Sequence, residues 1–390
     1  MKIDSVYIGG WYQRTTLHLS EVYDWLQSGG SPLALDKKKL KALRAGLKTK
    51  VVEMRVREFE YIYFQTASGT EVRLFEDGLI VLSRPVRKIK DDIAALTSFY
   101  EESLSPALNY LFSLGAPVPK ELASIATVYP YFILLEKAKP ADIERLTKEL
   151  GEKKYLSVKR PDFEIYRGGK IYLINNFRLP RALITRLINE QIFAREFKIQ
   201  LHHYLNLHRI IWEKIAAIKE RGEISGREAG PLKTQVEGYS KTVNLISSRI
   251  NQMSTYLGTR EKVVKSDAAL DRILPILQFK YETLSDTLAY IKEIWLMTKN
   301  YLDSSLALFS GIQAKSTEAS LKNLTVITVT GVAASFLKMF SGDLPKFTTN
   351  GMLFALLIIF AGFSADEIIK FISRRKRYKI KEAPLAKDFK

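Results

Sequence analysis

The chain is 390 residues long, with 60 lysines and arginines against 42 aspartates and glutamates and a formal charge of +18 at pH 7. That length accommodates two or three domains, and 46% hydrophobic with 26% charged residues excludes wholesale disorder and a collagen-like fibre. Zero cysteine excludes a disulfide scaffold, thiolate catalysis and sulfur-ligated zinc, and four histidines leave little for other metal chemistry, so the chain reads as acting without a reactive side chain.

Residues 1–20 lack a basic-then-apolar run and a small-residue cleavage site, so the N-terminus is expected in the cytosol. Gly9-Gly10 and Gly29-Gly30 are not followed by Lys-Ser/Thr, are no phosphate-binding loop, and read as turns. Between residues 37 and 50 lie seven basic residues and no acid, the pattern of a solvated helix face; if functional, it is open to anionic lipid or to nucleotide. Residues 51–84 read as strands. Met54 and Val56 alternate with Arg55 and Arg57, and Ser68-Gly69 and Asp77-Gly78 sit where hairpins need positive φ. Helical spacing follows over 91–114, where Pro106 should split the element, and over 140–150. A strand is expected over 128–135 and a hairpin at Gly168-Gly169. The first 180 residues therefore predict a mixed sheet with helices packed on it, an α+β cytosolic domain.

After Pro180 the strand signal stops. Helices are expected over 181–219 and 233–260, with breaks at 221–226 and at Gly230-Pro231, and a third begins near 270–275. His202, His203 and His208 share a helix at spacings that put no two imidazoles one turn apart, which points to packing or surface roles. From Leu277 the apolar positions Leu277, Tyr281, Leu284, Leu288, Ile291 and Trp295 alternate at four and three, and the register resumes at Leu302, Phe309 and Ile312. That is a heptad seam, weakened where Thr298 and Ser305 interrupt it. Left to itself it would leave an apolar stripe wet, so self-association is expected around it.

Residues 324–340 are seventeen with one charge, Lys338, and 348–364 are seventeen with none. At about 1.5 Å per residue each covers ~25 Å, slightly short of the ~30 Å hydrocarbon layer. A short turn at 341–347 joins them, and residues 371–390 hold eight basic residues against two acids. The positive-inside rule then puts both termini in the cytosol of a multi-pass protein of the inner cell membrane, its basic tail near anionic lipid. Two other readings stay open: a buried helical hairpin, or a soluble basic coiled coil that binds nucleic acid.

The stalk ending Ala319-Ser320-Leu321-Lys322-Asn323, then Leu324-Thr325-Val326-Ile327-Thr328-Val329, Phe336, the short loop, the second apolar run and Arg374-Arg375-Lys376-Arg377 resemble the CorA-like divalent-cation transporter superfamily. The resemblance implies a cytosolic α+β domain at 1–180, a helical hairpin at 181–275, a stalk helix at 276–323, a first span at 324–341, an external loop at 342–347, a second span at 348–370 and a basic tail at 371–390. It also implies a homopentamer with Mg²⁺ or a related ion as substrate, no resident cofactor, no nucleic acid and no enzymatic chemistry. A gapless match puts the family's Tyr-Gly-Met-Asn motif on Ser341-Gly342-Asp343-Leu344, retaining only the glycine. Gly342, Asp343 and Leu344 would form the selectivity loop, with Asp343 a ring of carboxylates in place of the missing amide. The same match puts Leu321, Leu324, Val332, Ser335 and Met339 on the pore-lining face, the first two as the closed gate, and Glu318 at the cytosolic mouth. The resemblance also implies a regulatory cation site between subunits near the stalk, to which Asp303, one turn from the matching position, would contribute. A non-conducting scaffold that kept the architecture and lost the filter is the alternative, motivated by Leu344 and Lys338.

Overall fold

The computed structural model describes residues 1–11, 18–56, 59–112, 130–219 and 222–340, together with 360, 364, 367 and 377–379. The chain divides into two compact units: Met1–Tyr204 with Ser248–Lys292, and Leu205–Ser247 with Glu293–Lys390.

The first unit is built on a nine-stranded sheet. Its strands are β1 (Lys2–Trp11), β2 (Thr49–Arg55), β3 (Tyr61–Thr66), β4 (Glu71–Phe75), β5 (Leu79–Pro85), β6 (Tyr131–Glu136), β7 (Leu156–Lys159), β8 (Phe163–Arg167) and β9 (Ile171–Asn176). They lie in the order β2-β3-β4-β5-β1-β6-β9-β8-β7. Every neighbouring pair is antiparallel except β6 and β9, which are parallel. The hairpin glycines behave as their sequence requires, Gly69 at φ 84° and Gly78 at φ 89°.

One sheet face packs against α1 (Leu19–Ser28), α2 (Lys37–Gly46), α3 (Ile89–Ser98), α4 (Ser105–Leu111) and α5 (Pro140–Glu149). Val6, Ile8, Phe64, Leu82 and Ile133 meet Trp25, Leu40, Leu96, Leu108 and Leu146 there. The basic run on α2 starts from an Asp36 cap whose carboxylate accepts the Lys38 and Lys39 amides, and Arg44 donates to the Leu26 and Gln27 carbonyls. Between α3 and α4 the segment Phe99–Leu104 winds as a π turn, and Pro106 sits in the first turn of α4, where its missing N–H costs nothing. The split expected at Pro106 therefore takes the form of one widened turn.

Gly9-Gly10 is not a turn. Both residues lie inside β1, paired with Val81 and Ile80 of β5. A Cβ on Gly9 would stand 2.5 Å from the Ile80 carbonyl oxygen and 2.8 Å from Ile192 Cγ2, so glycine is what lets strand and helix approach. This strand is buried on both faces, which erases the alternation by which strands announce themselves.

Three long helices follow: α6 (Arg181–Lys219), α7 (Gly226–Ser266) and α8 (Leu274–Phe340). In the first unit α6 covers the other sheet face, with Trp11 against Phe193 and Phe197 at ring-centroid distances of 5.7 and 5.3 Å. Arg195 donates to the Gly9 and Pro130 carbonyls at 2.9 Å each. In the second unit α7 begins at Gly226, earlier than expected, because Ser225 and Glu228 form a reciprocal cap: Ser225 N donates to Glu228 Oε2 at 3.1 Å and Glu228 N to Ser225 Oγ at 3.3 Å. Gly230-Pro231 thus lies inside the helix instead of ending it. Ahead of α7, β10 (Glu223–Ser225) pairs antiparallel with β11 (Arg377–Lys379), and the Glu223 carboxylate forms an ion pair with Arg377 at 3.5 Å. Part of the basic tail is accordingly a strand.

Candidate functional site

Helix α8 is unbroken over 67 residues, so one element carries the heptad seam and continues to residue 340. Its seam is dry within a single chain. In the first unit Leu277, Tyr281, Leu284, Leu288 and Ile291 are buried, and in the second Trp295, Leu302, Phe309 and Ile312 are. Thr298 and Ser305 are buried as well, their hydroxyls bonded to the carbonyls of Ile294 and Tyr301 one turn back, so the interruptions fit the seam without an unpaired group. Helix α6 supplies the neighbours in the second unit: His208 stacks on Trp212 and meets Trp295 edge-on, and Trp212 stacks on Tyr301 at 4.8 Å. Burial pushes the pKa of His208 down, in keeping with a packing role. The seam is therefore no wet stripe that calls for another copy, and the expectation of self-association on that ground does not follow.

Beyond Ile312 the helix changes character. Leu321 and Val332 are 60% and 53% exposed and stand eleven residues apart, three helical turns, on one face. Thr325 and Thr328 share that face and are also exposed, the Thr325 hydroxyl bonded to the Leu321 carbonyl at 3.0 Å. Two of the five pore-lining residues named from sequence thus lie together on an open apolar and hydroxylic strip, and the threonines join them. They were passed over because their hydroxyls fall between the apolar positions of the match. Leu324, Ser335 and Met339 continue the register on the helix. Glu318 is exposed just before the strip, and Asp303 is exposed farther back. Gly342, Asp343 and Leu344, the 342–347 loop and most of the 348–370 and 371–390 segments lie outside the described residues. Among the described residues no group of three or more His, Asp and Glu gathers as a cation site, so Asp303 would need ligands from elsewhere. Among them, too, no helix is long and apolar enough to cross a membrane.

The first unit holds a second constellation, which sequence reasoning missed. Arg260 of α7 is 1% exposed and stands between two carboxylates. Its Nε and Nη2 donate to Asp77 in the β4–β5 turn, the second at 3.0 Å, and Nη1 donates to both oxygens of Glu190 on α6 at 3.1 Å. Tyr281 of α8 donates its hydroxyl to Glu190, and Arg186 approaches the same carboxylate at 3.0 Å. The rings of Phe193 and Phe59 flank the guanidinium at 4.4 and 4.8 Å. Burial would pull the pKa of Arg260 down, but Asp77 and Glu190 outweigh it and hold the pKa above its usual value. Burial first and Glu190 second push the Tyr281 phenol well up. Two cations face two anions, so the cluster is a staple of turn and helices. The only sequence trace of it is the Asp77-Gly78 turn and a phenolic hydroxyl, that of Tyr281, in an otherwise apolar stretch of the seam from Leu277 to Trp295.

The fold and these sites define an α+β sheet domain joined to three long helices. No family model matches the chain, and no curated protein matches it. Among solved structures it is similar to the soluble domain of CorA from Methanocaldococcus jannaschii, at 12% identity over 51% of this chain and 95% of that one, with a TM-score of 0.21. Similarity at that level assigns neither function nor assembly.

Proposed function

We propose that the chain is a membrane ion channel or transporter of CorA type, passing Mg²⁺ or a related metal ion down its gradient through a homopentameric pore lined by the end of α8. The observation that carries this reading is the change along one helix, from a seam dry in the single chain to an exposed strip of Leu321, Thr325, Thr328 and Val332. A face left open by its own chain, most of it within seventeen residues that hold one charge, suits a bundle of copies around an axis. Leu321 and Leu324 would then form a dewetting gate, with hydroxyls of Thr325, Thr328 and Ser335 offering water-like ligands to a hydrated ion. The β10–β11 pairing supports the hairpin topology, because a chain that leaves along α8 returns to its own second unit at 377–379.

The test is ion flux into liposomes holding the purified full chain, with Mg²⁺, Co²⁺, Ni²⁺ and Zn²⁺ offered separately. Leu321→Ala should raise flux severalfold by wetting the constriction, and Asp343→Ala should lower it. A folded, membrane-inserted protein that passes none of these ions defeats the transport reading. That outcome would favour the non-conducting scaffold, which Leu344 in place of the asparagine amide already motivates.

A further inference from the structure

We propose that the first unit carries a binding site for a small zwitterion, a free α-amino acid with an apolar side chain, in the cavity between the start of β1, the β5–α3 turn and the end of α5. The cavity measures about 630 Å³ and opens to the surface. That volume falls in the range of small-molecule sites, roughly 300–1,000 Å³. Ile3 on β1, Val86 in the turn and Ile89 at the start of α3 give it an apolar floor that continues into the core. Arg87, Lys90 and Glu149 carry charge around it, and all three are exposed. The turn that supplies the cations is tied down on both sides. Val86 donates its amide to the Asp4 carbonyl at 3.1 Å. The buried Asp92 carboxylate accepts the Arg87 and Lys88 amides at 2.7 and 2.9 Å and Arg84 Nε at 2.9 Å. This wall is therefore formed before a ligand arrives.

The charges decide the ligand. Lys88 pairs with Asp91 at 4.0 Å, which leaves two cations, Arg87 and Lys90, against one carboxylate, Glu149. None of these three side chains has an ion-pair or hydrogen-bond partner among the described residues. They also stand on different walls: the cations on the turn and the first turn of α3, the carboxylate at the end of α5. A plain phosphate would meet Glu149 and leave the apolar floor unused. A simple cation would meet Arg87 and Lys90, and a neutral hydrocarbon would leave all three charges unanswered. An α-amino acid answers each of them. Its carboxylate would accept from Arg87 and Lys90, its ammonium would donate to Glu149, and its side chain would cover Ile3, Val86 and Ile89. The inference does not depend on ion transport, because every residue in it belongs to the first unit.

The experiment is calorimetric titration of the purified full chain in detergent with L-leucine, N-acetyl-leucine, leucinamide and glycine. Leucine should bind saturably. Removing its ammonium, its carboxylate or its side chain should each weaken binding about fivefold or more, as loss of a charged or apolar contact at an open site requires. Two variants assign the contacts. Glu149→Gln should weaken leucine and leave N-acetyl-leucine unchanged, whereas Arg87→Met should weaken leucine and leave leucinamide unchanged. Both side chains are exposed, so the thermal midpoint of each variant should match wild type. No saturable binding of leucine, N-acetyl-leucine bound as tightly as leucine, or wild-type affinity in both variants overturns the assignment.

Discussion

A single guanidinium shows how much one side chain can hold. Arg260 bridges Asp77 and Glu190 with almost no exposure, and Tyr281 closes the second carboxylate. Taking a charge out of water is expensive and is offset here because all three Arg260 nitrogens and all four oxygens of Asp77 and Glu190 are bonded to one another. Removing the cation leaves two buried carboxylates facing one another across the vacated space. Arg260→Met should therefore cost about 3–5 kcal/mol, measured as a lower denaturant midpoint at unchanged slope. Arg209→Met, at an exposed pair 4.0 Å from Glu213, should change the midpoint by no more than about 1 kcal/mol. Equal effects of the two would mean that the buried cluster adds nothing beyond a surface pair.

At the scale of elements, periodicity was legible wherever one face of an element is wet. The hairpins around Gly69 and Gly78, helix α5 and the α8 seam stand where alternation and heptad spacing put them. Strand β1 was not legible, because Tyr7, Ile8 and Trp11 are buried on both sides and Gly9-Gly10 imitates a turn. The start of α7 was misplaced because Ser225 and Glu228, four places apart counting both ends, fix it more strongly than Pro231 disturbs it. The Arg260 cluster was illegible for another reason: its four elements are far apart in the chain and only the fold brings them together. The α8 seam yields its own prediction. Leu288→Ala, at a position 3% exposed, should cost about 2–5 kcal/mol, whereas Phe279→Ser, at 71% exposure, should stay within about 0.5 kcal/mol. Thermal melts of the two variants check this, and an insensitive Leu288 would mean that the seam is not packed in the single chain.

For the molecule as a whole, the closed seam separates folding from assembly. Because the stripe from Leu277 to Ile312 is buried inside one chain, helix content should not depend on how many copies are associated. Circular dichroism per residue should stay constant across a dilution series that takes the detergent-solubilised protein to its smallest sedimenting species. A fall in ellipticity along that series would show that α8 needs a second copy to stay helical. If copies do gather, the strip from Leu321 to Val332 is the surface they have to share.

The place of β1 in the sheet has a consequence for biosynthesis. Strand β1 is synthesised before β5 and β6, which flank it, so neither edge is satisfied until residue 79 at the earliest, and the second edge waits for residue 131. At about 5–20 residues per second, that is several seconds during which Val6, Tyr7 and Ile8 are exposed on a nascent chain. The segment that ends up deepest in the sheet is thus the one that most needs a chaperone while the polypeptide is being made.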